Sequence, residues 1–228
     1  MNRREFSAAA AASMGALALG MPGLVLAQQK FQPGAAFAQM KKPQEGEEYL
    51  ALGKPVPVDS PPGKIEVIEF FWYSCPHCNA FEPQLDAWIK KLPADVVIKR
   101  VPVAFRDDFV PQQRLYYTLE AMGKLGELHS KVFQSVHVDR NPTNKEELIL
   151  GWAEKQGLDR AKFKELYNSF SVSSKARRAT QIQDAFQVNG VPSIGVAGRY
   201  YTDGDLAGTM DRALQVTDYL IAEARKAR

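Results

Sequence analysis

The sequence predicts a mixed α/β fold in which a small sheet is interrupted by an all-helical insertion domain. Two β-branched, apolar segments, 64–73 and 95–105, flank a segment with one apolar helical face. Helical periodicity then continues from 111 to 189, and strand character returns only after Gly190. We therefore expect the order strand, strand, helix, strand, helical insert, hairpin, helix, with one parallel strand pair joined by a right-handed crossover.

The start of the chain is typical of a bacterial export signal. A basic beginning is followed by an apolar run rich in Ala and Gly, with small residues before a cleavage site after Ala27. A membrane anchor is the alternative, but the run is weakly hydrophobic and broken by Pro22. A pair of arginines leaves the Sec and twin-arginine routes both open. We expect a signal peptide over 1–27, a flexible leader over 28–46 and a mature protein in the periplasm, where disulfides persist.

The first part of the sheet domain is expected over 47–110. Alternation within 47–58 favours a short strand, and 64–73, apolar on both faces, is typical of a central buried strand. Pro76 suits the first turn of the following helix because its missing N–H is not needed there, and Pro93 ends that helix.

The insertion domain is expected over 111–189. Its apolar stripes predict several helices that form a bundle of their own. Thr143 followed by Glu146 predicts a capping box at the start of one of them. His129 and His137 fall within these helices, and we interpret both as ordinary helical residues.

The remaining segment, 190–228, is expected to complete the sheet domain. It predicts a hairpin that turns at 197–199. Thr209 then provides an N-cap for a final amphipathic helix.

The composition is that of an ordinary globular protein and excludes several function classes. The chain is 45% hydrophobic and 24% charged, with a net charge of +3. This charge is small and no basic block carries interleaved aromatic residues, so we expect no nucleic-acid partner. Two cysteines and three histidines are few ligands for a dedicated metal site, and we expect neither a metal nor a cofactor.

The only two cysteines, Cys75 and Cys78, lie where the apolar strand meets the helix. Unpaired backbone N–H groups and the helix dipole favour a negative sulfur there, and His77 adds a donor. The pKa of Cys75 should therefore be depressed, while Cys78 should be shielded on the apolar side. Stabilising the Cys75 thiolate stabilises the reduced protein and makes the disulfide a stronger oxidant. The alternatives are a structural disulfide and a metal site that would lack a fourth ligand.

A carboxylate interrupts the apolar central strand. Glu69 lies between Ile68 and Phe70, where burial would raise its pKa. The alternative is an edge strand with Glu69 in water. A basic partner could come from Lys99 or Arg100 on the next strand, and the sequence does not distinguish between them.

The segments "EFFWYSCPHC" and "NAFEP", together with the distal "GVPSI", resemble the DsbA family of periplasmic thiol:disulfide oxidoreductases. "GEEYLALGKPV" also resembles the approach to that family's first strand, so the likeness extends from about Glu47 to the C-terminus. The resemblance implies a thioredoxin-like fold with a helical insertion. It also implies a cis peptide bond at Val191–Pro192, where the Val191 backbone would pair with an extended substrate.

The same resemblance implies roles for the site residues. Cys75 would be the attacking cysteine and Cys78 its buried partner, with Pro76 and His77 adjusting the reduction potential. Glu69 would be a buried acid near the inner cysteine that moves protons.

The implied function is that of a protein disulfide donor. A substrate thiolate would attack Cys75, and the helix N-terminus would stabilise the departing charge. Reduced exported proteins would be the substrates, a DsbB-type membrane oxidase would restore the disulfide, and a monomer is favoured. The alternatives are a disulfide reductase or isomerase on the same fold and a metallochaperone that binds a soft ion through Cys75 and Cys78.

Overall fold

The computed structural model describes residues 41–227. The expected signal peptide and most of the expected leader lie outside the described residues. Within residues 41–227, no helix is both long enough and apolar enough to cross a membrane.

A mixed sheet with the strand order β1-β5-β4-β2-β3 forms the centre of the fold. The five strands described are β1 (Leu50–Ala51), β2 (Ile65–Phe71), β3 (Val96–Pro102), β4 (Ser193–Val196) and β5 (Tyr200–Asp203). β2 pairs with β3 in parallel, and the other neighbouring pairs are antiparallel. The predicted parallel pair is thus confirmed, and β2 is a buried interior strand between β4 and β3. β1 is much shorter than the segment 47–58 that was expected to supply it.

Helices cover both faces of the sheet. The helices described are α1 (Pro76–Ile89), α2 (Val110–Ala121), α3 (Leu125–His137), α4 (Glu146–Lys155), α5 (Arg160–Tyr167), α6 (Phe170–Ala185), α7 (Gly204–Ala207) and α8 (Met210–Lys226). Helices α2 to α6 all lie between β3 and β4 in the chain. A short 3-10 helix, Asp107–Phe109, leads from β3 into α2.

Alternate residues of β2 belong to two different cores. Val67 packs in a cluster with α1 and α8 that includes Leu85 and Leu220. Ile68 and Phe70 belong to the second cluster, which contains buried residues of α2 to α6. Since successive side chains of a strand point to opposite faces, a strand covered on both sides is buried at every position, and β2 is apolar except for Glu66 and Glu69.

The hairpin between β4 and β5 turns as predicted. Ala197 and Gly198 both have left-handed backbones, with φ of 53° and 64°, and Arg199 N donates to Val196 O at 2.9 Å. Two left-handed residues match the twist of the flanking strands. A side chain at Gly198 would also collide with the carbonyl oxygen of Val56.

The predicted capping box is wrong. Helix α4 begins at Glu146 with Lys145 as its N-cap, and no side chain caps it. Thr143 is fully buried, has a left-handed backbone with φ of 42°, and accepts a hydrogen bond from Gln112 Nε2 at 3.3 Å. Its hydroxyl therefore faces the interior of the insertion and not the helix N-terminus. By contrast, Thr209 caps α8 as predicted by accepting from Arg212 N.

Gly195 offers a test of the packing between the sheet and the insertion. A Cβ added at Gly195 would overlap the ring of Phe186, which is itself buried against Phe70. We expect Gly195→Ala to lower the free energy of unfolding by about 1–3 kcal/mol through overpacking. Gly151→Ala is the matched control: it lies in α4 with no atom within 4 Å of the added Cβ. It should stabilise by up to about 1 kcal/mol. Denaturant unfolding measures both, and equal effects would contradict the packing.

Candidate active site

The two cysteines lie at the junction of the β2 segment and α1. Cys75 is the N-cap of the helix, with φ of −81° and ψ of 118°, and Pro76 is the first helical residue. Cys78 N donates to Cys75 Sγ at 3.4 Å. Both sulfurs are free thiols and both residues are buried, while Pro76 and His77 are exposed. The sequence Cys-Pro-His-Cys thus places one sulfur at the helix N-terminus and the other one turn inside.

The environments of the two sulfurs shift their pKa values in opposite directions. The pKa of Cys75 is lowered to about 6, chiefly because the Cys78 thiol donates to its thiolate. The backbone amides of Cys78 and His77 and the charge of His77 also lower it, against the effect of burial. Burial, and then the neighbouring Cys75, raises the pKa of Cys78 far above its ordinary value. The predicted asymmetry is confirmed, but its largest cause is the partner thiol, which the helix position alone did not predict.

The loop before β4 lies against the outer cysteine. The Val191–Pro192 peptide bond is cis, as the family resemblance implies. The Cys75 thiol donates to the Val191 carbonyl oxygen at 3.3 Å. The backbone on which an extended chain could pair is therefore in direct contact with the reactive sulfur, although Val191 and Cys75 are 116 residues apart in the chain.

Glu69 is completely buried in the middle of β2, so the alternative of an edge strand with Glu69 in water is wrong. Its basic partner is Arg100, whose Nε donates to Glu69 Oε2 at 2.8 Å. Lys99 instead pairs with Asp59. Burial, followed by the nearby carboxylate of Glu82, raises the pKa of Glu69 to about 8, although Arg100 opposes the shift. Glu69 therefore retains a proton at neutral pH.

The guanidinium of Arg100 donates hydrogen bonds to three carboxylates. Arg100 Nη2 donates to Glu82 Oε2 at 3.0 Å and to Asp86 Oδ1 at 2.9 Å, in addition to its contact with Glu69. Glu69 Oε1 has no hydrogen-bond partner within the described residues. The charge of Glu69 contributes to the raised pKa of Cys78, so this carboxyl group and the inner thiol influence each other. Asp86 is half exposed, so the two buried acids are Glu69 and Glu82, and a proton on Glu69 reduces the buried charge.

His129 and His137 lie in helix α3, as predicted, and both contact a distant segment of the chain. His129 Nδ1 lies 2.8 Å from the Tyr73 hydroxyl oxygen, and its Nε2 lies 3.3 Å from Glu82 Oε1. His137 Nε2 lies 2.8 Å from the Tyr73 carbonyl oxygen. Both histidines thus contact the segment that leads to Cys75.

A weak signal for His129 was present in the sequence. It lies four residues after Leu125 and four before Phe133, and so on the apolar face of α3, where a histidine is buried and needs partners. Burial lowers its pKa below the usual value, against the effect of Glu82. Glu82 and His137 have a comparable spacing, since Glu82 lies four residues after Cys78 and His137 four after Phe133. The partners of all three residues lie far away in the chain, so the contacts themselves could not be predicted.

A metal site would require more ligands than the cysteine segment supplies. Across residues 41–227, no group of three or more His, Cys, Asp or Glu residues is arranged to hold a metal ion. The soft thiolates of Cys75 and Cys78 have only the exposed His77 beside them in the chain.

Comparison with known proteins identifies the family. A profile of the DSBA-like thioredoxin domain matches residues 66–215. The thiol:disulfide interchange protein DsbA of Bordetella parapertussis is 44% identical over 191 residues, which cover 83% of this chain and 90% of that protein. The chain belongs to the DsbA family. DsbA of Burkholderia cepacia is 37% identical over 192 residues, covering 84% of this chain and 91% of the relative.

Solved structures agree with this family assignment. The crystal structure of Pseudomonas aeruginosa DsbA is 41% identical, with a TM-score of 0.76, and the match covers 80% of this chain and 94% of that one. Xylella fastidiosa DsbA has the same TM-score at 28% identity, covering 82% and 100%. The predicted thioredoxin-like fold with a helical insertion is confirmed. The protein is a thiol:disulfide oxidoreductase that oxidises substrate proteins, and the metallochaperone and reductase alternatives are not favoured.

The contribution of the Cys78 thiol to the Cys75 thiolate can be measured directly. In Cys78→Ala the strongest donor to the Cys75 sulfur is lost, while the backbone amides remain. We expect the pKa of Cys75 to move from about 6 upward in the direction of 9. Thiolate absorbance near 240 nm, followed against pH in the reduced protein, gives the midpoint. Cys75→Ser is the control and should show no titration near pH 6; an unchanged midpoint in Cys78→Ala would refute the thiol's role.

The protonation of Glu69 should appear in the pH dependence of stability. The folded-state pKa of about 8 exceeds the ordinary 4.5, so the neutral acid's stability contribution is complete below pH 4.5 and is lost as pH rises to about 8. Glu69→Gln mimics the neutral acid, and its stability relative to wild type should rise with pH across this window by at most about 1.4 kcal/mol per unit. Denaturant unfolding of both reduced proteins at pH 5, 6 and 7 measures the difference; parallel curves would contradict a raised pKa.

Proposed function

We propose that the protein is a periplasmic disulfide donor in which Cys75 is the sulfur attacked by substrate and Cys78 is its buried partner. The observation that carries the proposal is the unequal environment of the two sulfurs. Cys75 has a lowered pKa and lies against the Val191 carbonyl, whereas Cys78 is fully buried with a raised pKa. A substrate can therefore form a mixed disulfide with Cys75 but not with Cys78.

In the first step a substrate thiolate attacks the Cys75 sulfur of the Cys75–Cys78 disulfide. The bond between the two protein sulfurs breaks, a bond between substrate and Cys75 forms, and the electron pair leaves on Cys78. Because a buried thiolate is unfavourable there, Cys78 takes up a proton. Glu69 is the nearby acid that holds a proton at neutral pH, and we assign it as the donor. Solvent then returns the proton to Glu69.

In the second step another substrate thiolate attacks the substrate sulfur of the mixed disulfide. The substrate disulfide forms and Cys75 departs as a thiolate. This is the charge that the helix N-terminus stabilises, through the Cys78 thiol and the amides of Cys78 and His77. The substrate loses two electrons and two protons; the cysteine pair gains two electrons and one proton, and the other proton enters the solvent.

The direction of transfer follows from the same asymmetry. Lowering the pKa of Cys75 below the ambient pH stabilises the reduced protein, and each unit of pKa below that pH is worth about 1.4 kcal/mol. A stabilised reduced form makes the disulfide easier to give away, which supports a donor over a reductase or an isomerase. Pro76 and His77 are exposed between the cysteines, where we assign them the role of adjusting this balance.

The cis segment is the proposed docking strand for substrate. Val191 is partly exposed, and its carbonyl oxygen is within hydrogen-bond distance of Cys75 Sγ. An extended substrate paired with this backbone would bring its cysteine next to Cys75, with Pro192 giving the loop its direction. Hydrogen bonds to the substrate main chain depend little on its side chains, so this mode of binding suits an enzyme that oxidises many unfolded proteins.

We propose that the substrates are reduced, newly exported proteins and that a DsbB-type membrane oxidase restores the disulfide of a monomeric enzyme. We also propose that residues 47–110 and 190–228, which contain all five described strands, form the redox domain. Residues 111–189, which are largely helical, then form the insertion domain. No nucleotide or metal takes part in the proposed steps.

Three measurements test the donor function together. Wild-type protein should oxidise a reduced dithiol peptide, and its disulfide should be readily reduced by glutathione. Cys75→Ser should lose this activity completely, since no other sulfur is accessible. Cys78→Ala cannot form the protein disulfide, so it is given the oxidised peptide: its Cys75 thiolate should attack the peptide disulfide, release one peptide thiolate and leave a Cys75–peptide mixed disulfide that survives acid quenching and is detected by mass. If glutathione does not reduce the Cys75–Cys78 disulfide, the protein is a reductant or the disulfide is structural. If the protein binds a metal tightly and stoichiometrically but does not oxidise the peptide, it is a metallochaperone.

A further inference from the structure

The residues just before Cys75 are held by side chains from the helical insertion. His137 Nε2 donates to the Tyr73 carbonyl oxygen at 2.8 Å, a contact between residues 64 positions apart in the chain. Gln112 Nε2 donates to Ser74 Oγ at 2.8 Å. Helices α2 and α3 therefore bind the backbone and side chains of the two residues that lead into the N-cap.

A second contact from α3 fixes the side chain of Tyr73. Glu82 is paired with Arg100 and accepts, so the 3.3 Å contact assigns the proton of His129 to Nε2. Nδ1 is then an acceptor for the Tyr73 hydroxyl at 2.8 Å. The Tyr73 hydroxyl thus donates to His129, and His129 donates to the Glu82 carboxylate. Both Tyr73 and His129 are buried, so neither hydroxyl nor imidazole can exchange this partner for bulk water.

These contacts continue into the charged cluster of α1. Glu82 accepts from Arg100, and Arg100 donates to Glu69. Glu69 and Tyr73 are four residues apart on the segment that ends at Cys75. Hydrogen bonds thus connect both ends of that segment through α3, α1 and β3.

Packing alone does not account for a polar pair at this place. Rings of Phe71, Tyr116 and Phe133 surround His129 edge-on, with centroids 5.2 to 6.0 Å away. Apolar side chains of similar size would fill such a site without taking two polar groups out of water. A hydrogen-bonded pair, by contrast, is satisfied in only one relative arrangement of its two segments. Here the two segments are α3 and the chain leading to the redox cysteine.

We propose that His129 and His137 are positioning residues for thiol:disulfide exchange, so that helix α3 of the insertion belongs to the redox site. They hold Tyr73 by its hydroxyl and carbonyl groups and thereby keep Cys75 at the N-cap, where the amides of α1 reach its sulfur. This inference rests on the proposed role of Cys75. It predicts that the reactivity of the cysteine pair responds to substitutions in a helix that contributes no sulfur and no reacting atom.

The experiment compares His137→Phe, Tyr73→Phe and the double variant His129→Phe/Tyr73→Phe with wild type. His137→Phe keeps a ring against Phe133 but loses the donor to the Tyr73 carbonyl. The double variant removes both partners of the buried hydrogen bond and so leaves neither unsatisfied. Tyr167→Phe is the matched control, because it deletes another buried tyrosine hydroxyl of the insertion, one that donates to Pro111 O.

Three quantities are measured for each protein: the titration midpoint of Cys75, the equilibrium constant with glutathione, and the unfolding stability of the oxidised and reduced forms. We expect His137→Phe and the double variant to raise the midpoint and to shift the equilibrium about three- to tenfold toward the protein disulfide. Tyr73→Phe should shift both in the same direction, and Tyr167→Phe should shift neither.

A purely structural role gives a different result. It would destabilise oxidised and reduced forms equally and leave the midpoint and the equilibrium constant at their wild-type values, which would overturn the proposal. Failure of the donor function itself is visible separately, since wild-type protein would then not oxidise a dithiol peptide. If a variant is too unstable to purify, His137→Gln is measured as well. Its side chain retains a donor for the Tyr73 carbonyl, so its titration midpoint should equal that of wild type. A midpoint as high as that of His137→Phe would count against positioning through this contact.

Discussion

A negative charge on the Cys75 sulfur is the state around which the site is built. The sulfur is largely buried and would ordinarily be a neutral thiol there. Donors compensate for the lost water: the Cys78 thiol, the amides at the start of α1 and the charge of His77. This arrangement requires the chain to leave β2 and enter α1 within a few residues, which Pro76 at the first helical position favours. The same donors cannot serve Cys78, and so the two sulfurs become chemically different.

A second set of charged groups lies around Arg100, between β2, β3 and α1. Glu69, Glu82 and Asp86 meet a single guanidinium, and complete ionisation would leave the cluster negative beside the inner cysteine. Protonation of Glu69 relieves this imbalance, and in the proposed mechanism the same proton is the one passed to Cys78. Asp86 is half exposed and adds little to the buried charge, so the imbalance lies between Glu69, Glu82 and Arg100.

Local patterns in the sequence were sufficient for the sheet and for the cysteine pair. The apolar run of β2, the proline at the start of α1 and the hairpin turn at 197–199 depend on neighbours in the chain, and each was predicted. The choice of Arg100 over Lys99, and the contacts of His129 and His137, depend on which elements meet in space. Tyr73 and His129 are 56 residues apart, and no periodicity reports such a pair. The capping box was wrong because Thr143 is buried in a left-handed conformation and α4 begins only at Glu146, after Lys145.

The place at which the insertion enters the fold gives it access to the redox segment. It follows β3, which lies beside β2 in parallel, so the chain leaves the sheet at the same edge where β2 runs into Cys75. Helices α2 and α3 come first in the insertion, and they are the ones whose side chains reach Tyr73 and Ser74. A domain placed elsewhere could cover the sheet equally well without touching these residues. Position in the topology, more than size, is therefore what allows the insertion to act on the chemistry of the cysteines.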